Sequence, residues 1–227
     1  MPTIIHDLND IDIRVLRSND LTSKDSEMVH RLFDLTYRQA NHKYLEKSLS
    51  LLRYVALATF QDNPAGFALA DMIEARLPRL FDPQAIMLAG ICCVSSDFRR
   101  IGLFTKLEIL AANASGHFKP GKRILMCGRT AHPVSFRTIR KSPAVIPKYG
   151  TPLSTWHKEI GLLVAELYGV TLDPETFIVR GDGVPIGYPD LAYDITEEEW
   201  LPFLAVNRDR GDSLLGITWF PDAPEGW

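Results

Sequence analysis

Residues 95–110 read SSDFRRIGLFTKLEIL. Immediately upstream, AIMLAGICCV (85–94) is apolar along its whole length, as a strand covered on both faces would be. Downstream, Leu103, Leu107, Leu110, Ala111 and Ala114 recur at helical spacing, and Gly116 is placed to end the helix. Two arginines and a glycine therefore occupy a strand-to-helix seam. The first turn of a helix leaves up to four N–H groups without an intrahelical acceptor, at the positive end of the helix dipole. Residues 99–105 would carry such donors, and Gly102, lacking a Cβ, lets a phosphate come close to the main chain. Arg99 and Arg100 add charge, and an arginine fork suits phosphate geometry. The combination fits a pyrophosphate. It is equally compatible with a solvated turn in which Gly102 only eases the helix start.

Working outward, DIRVLR (12–17) alternates as a half-buried strand does, and Met28, Leu32 and Leu35 set a helix over 26–44. A second short helix is expected over 46–53. YVALATF (54–60) and GFALADMI (66–73) flank the turn-rich QDNPA, which reads as a hairpin with a loop slightly longer than two residues. KRILMCGRT (122–130) forms another strand, and HPVSFRTIRK (132–141) opens a short helix with Pro133 in its first turn. The order up to Lys141 is strand, two helices, three strands, helix, strand, helix, which predicts a mixed α/β fold.

Beyond it, Pro143, Pro147 and Pro152 bracket a stiff loop holding Tyr149. Trp156, Ile160, Leu163, Val164 and Leu167 mark a helix stopped by Gly169, and FIVR (177–180) looks like a strand. Thr196 and Glu199 have capping-box spacing ahead of a helix containing Trp200, Phe203 and Leu204. SLLGITWF (213–220) reads as a last strand. With no linker or repeat, residues 11–227 are expected to form one domain, with 143–227 an integral C-terminal extension.

Composition removes several functions. At 227 residues, 46% hydrophobic and 23% charged, the chain suits one ordinary globular domain, or at most two small ones. A net charge of -3 and a pI near 6.1 give no footprint for nucleic acid. No apolar run is long enough to span a membrane, and MPTIIHDLNDIDIRV (1–15) is unlike a signal or transit peptide, so a cytoplasmic location is expected. Cys92, Cys93 and Cys127 are odd in number and set in apolar runs, which predicts buried thiols. The six histidines form no HxH or HExxH pattern and no CxxC accompanies them, so no metal site is expected. GxSxG is absent, and GDGVPIG (181–187) meets Pro185 where a dinucleotide fold needs a helix, which makes it a turn.

The seam and the order of elements resemble the GNAT superfamily of acyl-CoA-dependent N-acyltransferases. Its motif, Arg/Gln-x-x-Gly-x-Gly/Ala, is matched by Arg99, Arg100, Ile101, Gly102, Leu103 and Phe104, with Val94 at the strand end. The resemblance covers roughly residues 11–142 in element order. Phe104 departs from the small residue usual at the last position, although the donor there is a main-chain N–H and the ring need only point away.

The resemblance implies a mixed, mostly antiparallel central sheet flanked by helices and splayed between its fourth and fifth strands. It also implies acetyl-CoA or a longer acyl-CoA as co-substrate, bound by Val94, Arg99, Arg100, Gly102, Leu103, Phe104 and Thr105. By the same likeness, the pantetheine arm would pair with the strand edges at 91–94 and 127–130. His132, after the fifth strand, could relay protons or contact the cofactor, or be a solvated helix-start residue. The helix that carries a tyrosine acid in many members of the family has none here, so Tyr149 is the nearest substitute, with Asp71 or Glu74 acting as base through water.

The expected reaction is acyl transfer from acyl-CoA to a primary amine of a small molecule or peptide. Fatty acyl transfer from a long-chain acyl-CoA or an acyl carrier protein is one alternative. A noncatalytic module that binds CoA or a partner is another. A homodimer is compatible, and no nucleic-acid partner is expected.

Overall fold

The computed structural model describes residues 7–191 and 193–227, so His6 and the start of the N-terminal run lie outside the described residues. In chain order the first elements are β1 (Asp12–Arg17), α1 (Ser23–Thr36), β2 (Tyr37–Arg38), α2 (His42–Leu51), β3 (Tyr54–Phe60), β4 (Asn63–Ala75), β5 (Gln84–Val94) and α3 (Leu103–Asn113). There follow β6 (Ile124–Thr130), α4 (Pro133–Arg140), α5 (Thr155–Leu167), β7 (Leu172–Asp173), β8 (Ile178–Val179), β9 (Tyr188–Pro189), α6 (Glu197–Trp200) and β10 (Ser213–Phe220). The result is a mixed α/β fold with a large, mostly antiparallel sheet and flanking helices. The chain divides into two compact units. One holds 7–71 with 89–116 and 187–191; the other holds 72–88, 117–186 and 193–227.

In the first unit the strands run in the order β1-β3-β4-β5. β1 meets β3 antiparallel from Asp12↔Thr59 to Arg17↔Tyr54, and β3 meets β4 from Tyr54↔Ala70 onward. Ala56, Ala58, Ala68 and Ala70 are fully buried, small side chains that let the helices lie close to the sheet. Gly90 is tighter still: a Cβ there would sit 2.2 Å from Leu52 Cδ1 and 3.0 Å from Leu69 O. Val29, Leu32 and Phe33 of α1 complete the core. Arg14 ion-pairs with the buried Asp25, which is also held by the Thr22 capping box.

In the second unit β10 is the organising strand. It pairs antiparallel with β6 from Leu214↔Thr130 to Phe220↔Ile124, and with β8 on its other edge. Its residues Ser213 to Trp219 are all buried. α4 lies so close that a Cβ on Gly216 would be 2.7 Å from Ile139 Cδ1 and 2.9 Å from Phe136 Cε2. The proline-bracketed loop is tied to the same strand by Ile146 and Ile217, which exchange two 2.8 Å backbone hydrogen bonds. Trp219 and Trp156 each meet the Trp227 ring edge to face, at 5.7 and 5.5 Å.

Several boundaries differ from those the sequence predicts. The helix expected over 26–44 ends at Thr36, and the next begins at His42 with Asn41 as its N-cap. Between them Tyr37 and Arg38 pair with Tyr188 and Pro189, a long-range bridge invisible to helical periodicity. The hairpin turn is the minimal two residues after all. Gln61 and Asp62 both take positive φ (48° and 62°), and a register shift at Ala58/Thr59 lets Pro64 enter the strand. The helix expected to contain Trp200, Phe203 and Leu204 stops at Trp200 and continues as a 3-10 turn over Leu201–Phe203, because Pro202 has no N–H to give. Cys93 and Cys127 are buried as expected, whereas Cys92 is only partly covered.

Candidate functional site

The seam between β5 and α3 lies within the first unit. Arg100 takes φ 69° and Gly102 takes φ 86°, so the backbone turns twice through the left-handed region before the helix begins. A Cβ on Gly102 would meet nothing within 4 Å; the glycine is required by its φ, and the space beside it is open. Gly102 is the N-cap and offers no side chain to the first turn, and the first intrahelical bond here runs from Lys106 N to Gly102 O at 3.1 Å. The N–H groups of Leu103, Phe104 and Thr105 are left as the orphan donors of the first turn. The other five α-helices among the described residues each have a side-chain cap, from Thr22, Asn41, His132, Ser154 and Thr196. The helix whose first turn is open is the one whose sequence suits a phosphate.

Arg99 makes two contacts with backbone carbonyls. Its Nε donates to Val94 O at 3.1 Å and an Nη to Asp190 O at 3.0 Å, so the guanidinium braces the strand end against the segment at 187–191. Two of its donors are thus spent on backbone. Arg100 is exposed at the turn, Leu103 is buried beneath it, Phe104 is half-buried, and Thr105 is exposed. Val94 is buried and its carbonyl is occupied by Arg99.

One turn beyond Phe104, α3 carries Glu108, a residue that helical spacing alone marks only as polar. Glu108 is half-buried, and desolvation pushes its carboxyl up to about 8, which favours the protonated form. It is a neighbour of Cys92, whose Sγ lies 3.9 Å from Phe104 O and whose thiol is raised chiefly by burial. Burial likewise pushes Cys93 up to about 12 and raises the Tyr37 phenol. These thiols are inert as nucleophiles at neutral pH.

The remaining candidates divide between the units. Asp71, in the first, is buried and gripped by Arg53, whose Nε and an Nη donate to its two oxygens at 2.7 Å each. In the second, Glu74 accepts from Lys119 at 3.0 Å. His132 caps α4, its Nδ1 accepting from Val134 N at 3.4 Å, and its ring meets Trp200 edge to face at 5.4 Å. Burial, with Arg208 and Arg137 nearby, pulls it down to about 4, so it is neutral at physiological pH. Tyr149 is 56% exposed at a turn closed by Thr151 N donating to Lys148 O at 3.0 Å. Among the described residues no group of three or more His, Cys, Asp or Glu is arranged to hold a metal ion, and no helix is long and apolar enough to cross a membrane.

No family model and no curated protein matches the chain. Solved structures with a related chain path include an aminoglycoside acetyltransferase from an uncultured soil metagenomic sample in complex with trehalose. It is 19% identical over 60% of this chain and 89% of that one, with a TM-score of 0.38. Escherichia coli ElaA is 12% identical over 63% and 92%, with a TM-score of 0.36. The GNAT family N-acetyltransferase YhbS from E. coli, in complex with CoA, is 14% identical over 56% and 67%, with a TM-score of 0.40. These are likenesses in outline, and the functional reading rests on this chain's own residues.

Proposed function

We propose that the chain is an acyl-CoA-dependent N-acyltransferase whose nucleotide pyrophosphate is held at the first turn of α3. The observation that carries this reading is the uncapped turn behind Gly102, with its left-handed φ and the open space where a Cβ would stand. Main-chain N–H groups of Leu103, Phe104 and Thr105 would donate to the phosphate oxygens, helped by the helix dipole. Arg100 supplies positive charge from the exposed turn. Arg99 acts as a positioning residue: by bracing Val94 and Asp190 it fixes where the turn begins.

An acyl thioester brings an activated carbonyl and a thiolate leaving group. The attacking amine must be neutral, and the departing thiolate gains from a proton. Within the first unit Glu108, pushed up to about 8 by desolvation, is a candidate to give such a proton, at about the affinity of a thiol. Asp71, committed to Arg53, serves as an ion-pair partner in this reading rather than as a base. Tyr149 and His132 remain the proton carriers suggested by the resemblance, and their variants decide between them and Glu108.

The test pairs calorimetric titration of CoA with free-thiol release from acetyl-CoA and longer acyl-CoAs over a panel of primary amines. Binding with release on one donor supports the transferase and reports the acyl length. Binding without release on any donor would leave a CoA-binding module, and no binding would remove the proposal.

A further inference from the structure

Residues 187–191 belong to the first unit, where they meet both the turn between α1 and α2 and the arginine that precedes α3. Tyr37 pairs with Pro189 and Arg38 with Tyr188, a ladder only two residues long. Pro189 has no N–H, so the segment brings fewer donors than its length allows. The shortfall is met at Asp190, which is held from both ends. Its N–H donates to Thr36 O at 2.8 Å, and its C=O accepts from an Nη of Arg99 at 3.0 Å.

Arg99 gives its Nε to Val94 O at 3.1 Å. One guanidinium therefore joins the end of β5 to Asp190 and, through Asp190, to the last turn of α1. The residues after it are the ones that turn the chain into α3, Arg100 at φ 69° and Gly102 at φ 86°. A shift at Asp190 is thus felt at the start of that turn. At the other end of the segment Gly187 is buried with φ 131°, and a Cβ there would lie 3.1 Å from Tyr37 Cδ1 and 3.2 Å from Tyr37 Cβ. Both the backbone angle and the space call for glycine. Arg38 and Asp190 are exposed, and a short ladder near solvent opens at small free-energy cost.

We propose that residues 187–191 are a strap that couples the α1–α2 turn to the first turn of α3: CoA binding closes it, and the closed strap holds the turn ready for phosphate. The proposal rests on the acyl-CoA reading above and adds a regulated state to its site. Phosphate on the N–H groups of Leu103, Phe104 and Thr105 would immobilise the residues before them, so Arg99 would lose less freedom in gripping Asp190. Coupling of this kind is reciprocal. A chain with a loosened strap must bind CoA more weakly, by the factor that CoA favours the closed strap. Arg99 is the positioning residue, and lysine could not replace it, because a single ammonium lacks the fork that reaches two carbonyls.

Amide hydrogen exchange of the full-length chain, resolved by NMR, reads the strap without any variant: saturating CoA should slow exchange at the Asp190 amide at least about 5-fold. Gly187→Ala, which alters no residue of the α3 turn, should weaken CoA binding at least about 5-fold by calorimetry. Arg99→Lys should speed exchange at the Asp190 amide in the CoA-free protein. In that background Gly187→Ala should cost no more than about a further twofold in CoA affinity, since both changes act through one latch. Unchanged Asp190 exchange on saturation with CoA, full CoA affinity in Gly187→Ala, or additive losses in the double variant would each overturn the proposal. Failure of the unaltered chain to bind CoA would remove the acyl-CoA reading instead. The strap would then stand or fall on CoA-free exchange, where an unchanged Asp190 rate in Arg99→Lys overturns it.

Discussion

Gly102→Ala separates a glycine required by its own backbone from one required by a ligand. At φ 86° the substitution introduces left-handed strain of about 1–2 kcal/mol, and since the added Cβ meets nothing within 4 Å no packing cost follows. Gly116, just past the far end of the same helix, supplies a matched control. Its φ is 76°, and a Cβ there also meets nothing within 4 Å. Gly102→Ala and Gly116→Ala should therefore lower thermal stability by similar amounts. They should differ toward CoA. A methyl group in the cradle holds phosphate oxygens away from the N–H groups of Leu103, Phe104 and Thr105, and charge-assisted bonds lost on that scale cost about 1–3 kcal/mol. Calorimetry should report CoA bound about 10- to 100-fold more weakly by Gly102→Ala and unchanged by Gly116→Ala. If the two variants bind CoA within about twofold of each other, the phosphate does not sit on this turn and the functional reading loses its main support.

Glu108→Gln should lower kcat by about 100-fold with CoA affinity unchanged, the range expected of a general acid. A full effect in Tyr149→Phe or His132→Ala instead would move the proton to those residues. A chain ending at Lys141 should fail to melt cooperatively, because it loses β10 and with it the antiparallel partner of β6 from Ile124 to Thr130. Glu199 gives the acid limit. Its carboxyl is lowered from 4.5 to about 2, first by hydrogen bonds from Arg137, so the stability it contributes is complete above pH 4.5 and is lost as pH falls toward 2. With Arg137 35% exposed, screening trims that contribution to about 1–2 kcal/mol. Urea unfolding of Glu199→Gln should thus show a flatter pH dependence in this window. Some slope should remain from Asp25, lowered to about 2 chiefly by Arg14; a slope equal to wild type would show that the Arg137 pair contributes nothing.

Residues 85–116 were legible because each feature there is local. Ten consecutive apolar residues make a covered strand, leucines three and four apart make a helix, and a glycine between them turns the chain. The capping box at Thr196 and Glu199 was legible for the same reason, since both partners lie within one turn. Its second duty was not. Glu199 also receives Arg137 and Arg140 from α4, about sixty residues away in sequence.

The chain by itself determined the main strands and helices, their order and the glycine at the start of α3, because strand and helix periodicity, prolines and a cap-free glycine act over a few residues; β2 and β9, which exist by pairing with each other, were not legible. Tertiary structure decided which charges are at liberty to act. Arg99, which adds to the anion site when read alone, is claimed by two carbonyls, one of them 91 residues along the chain. Asp71 is claimed by Arg53, and desolvation in the fold is what pushes the Glu108 carboxyl up to about 8. The contacts of His30 with His42 and Glu46 join two helices, 12 and 16 residues apart along the chain. Protonation and pairing follow from distance and desolvation in space, and neither is a property of spacing along the chain.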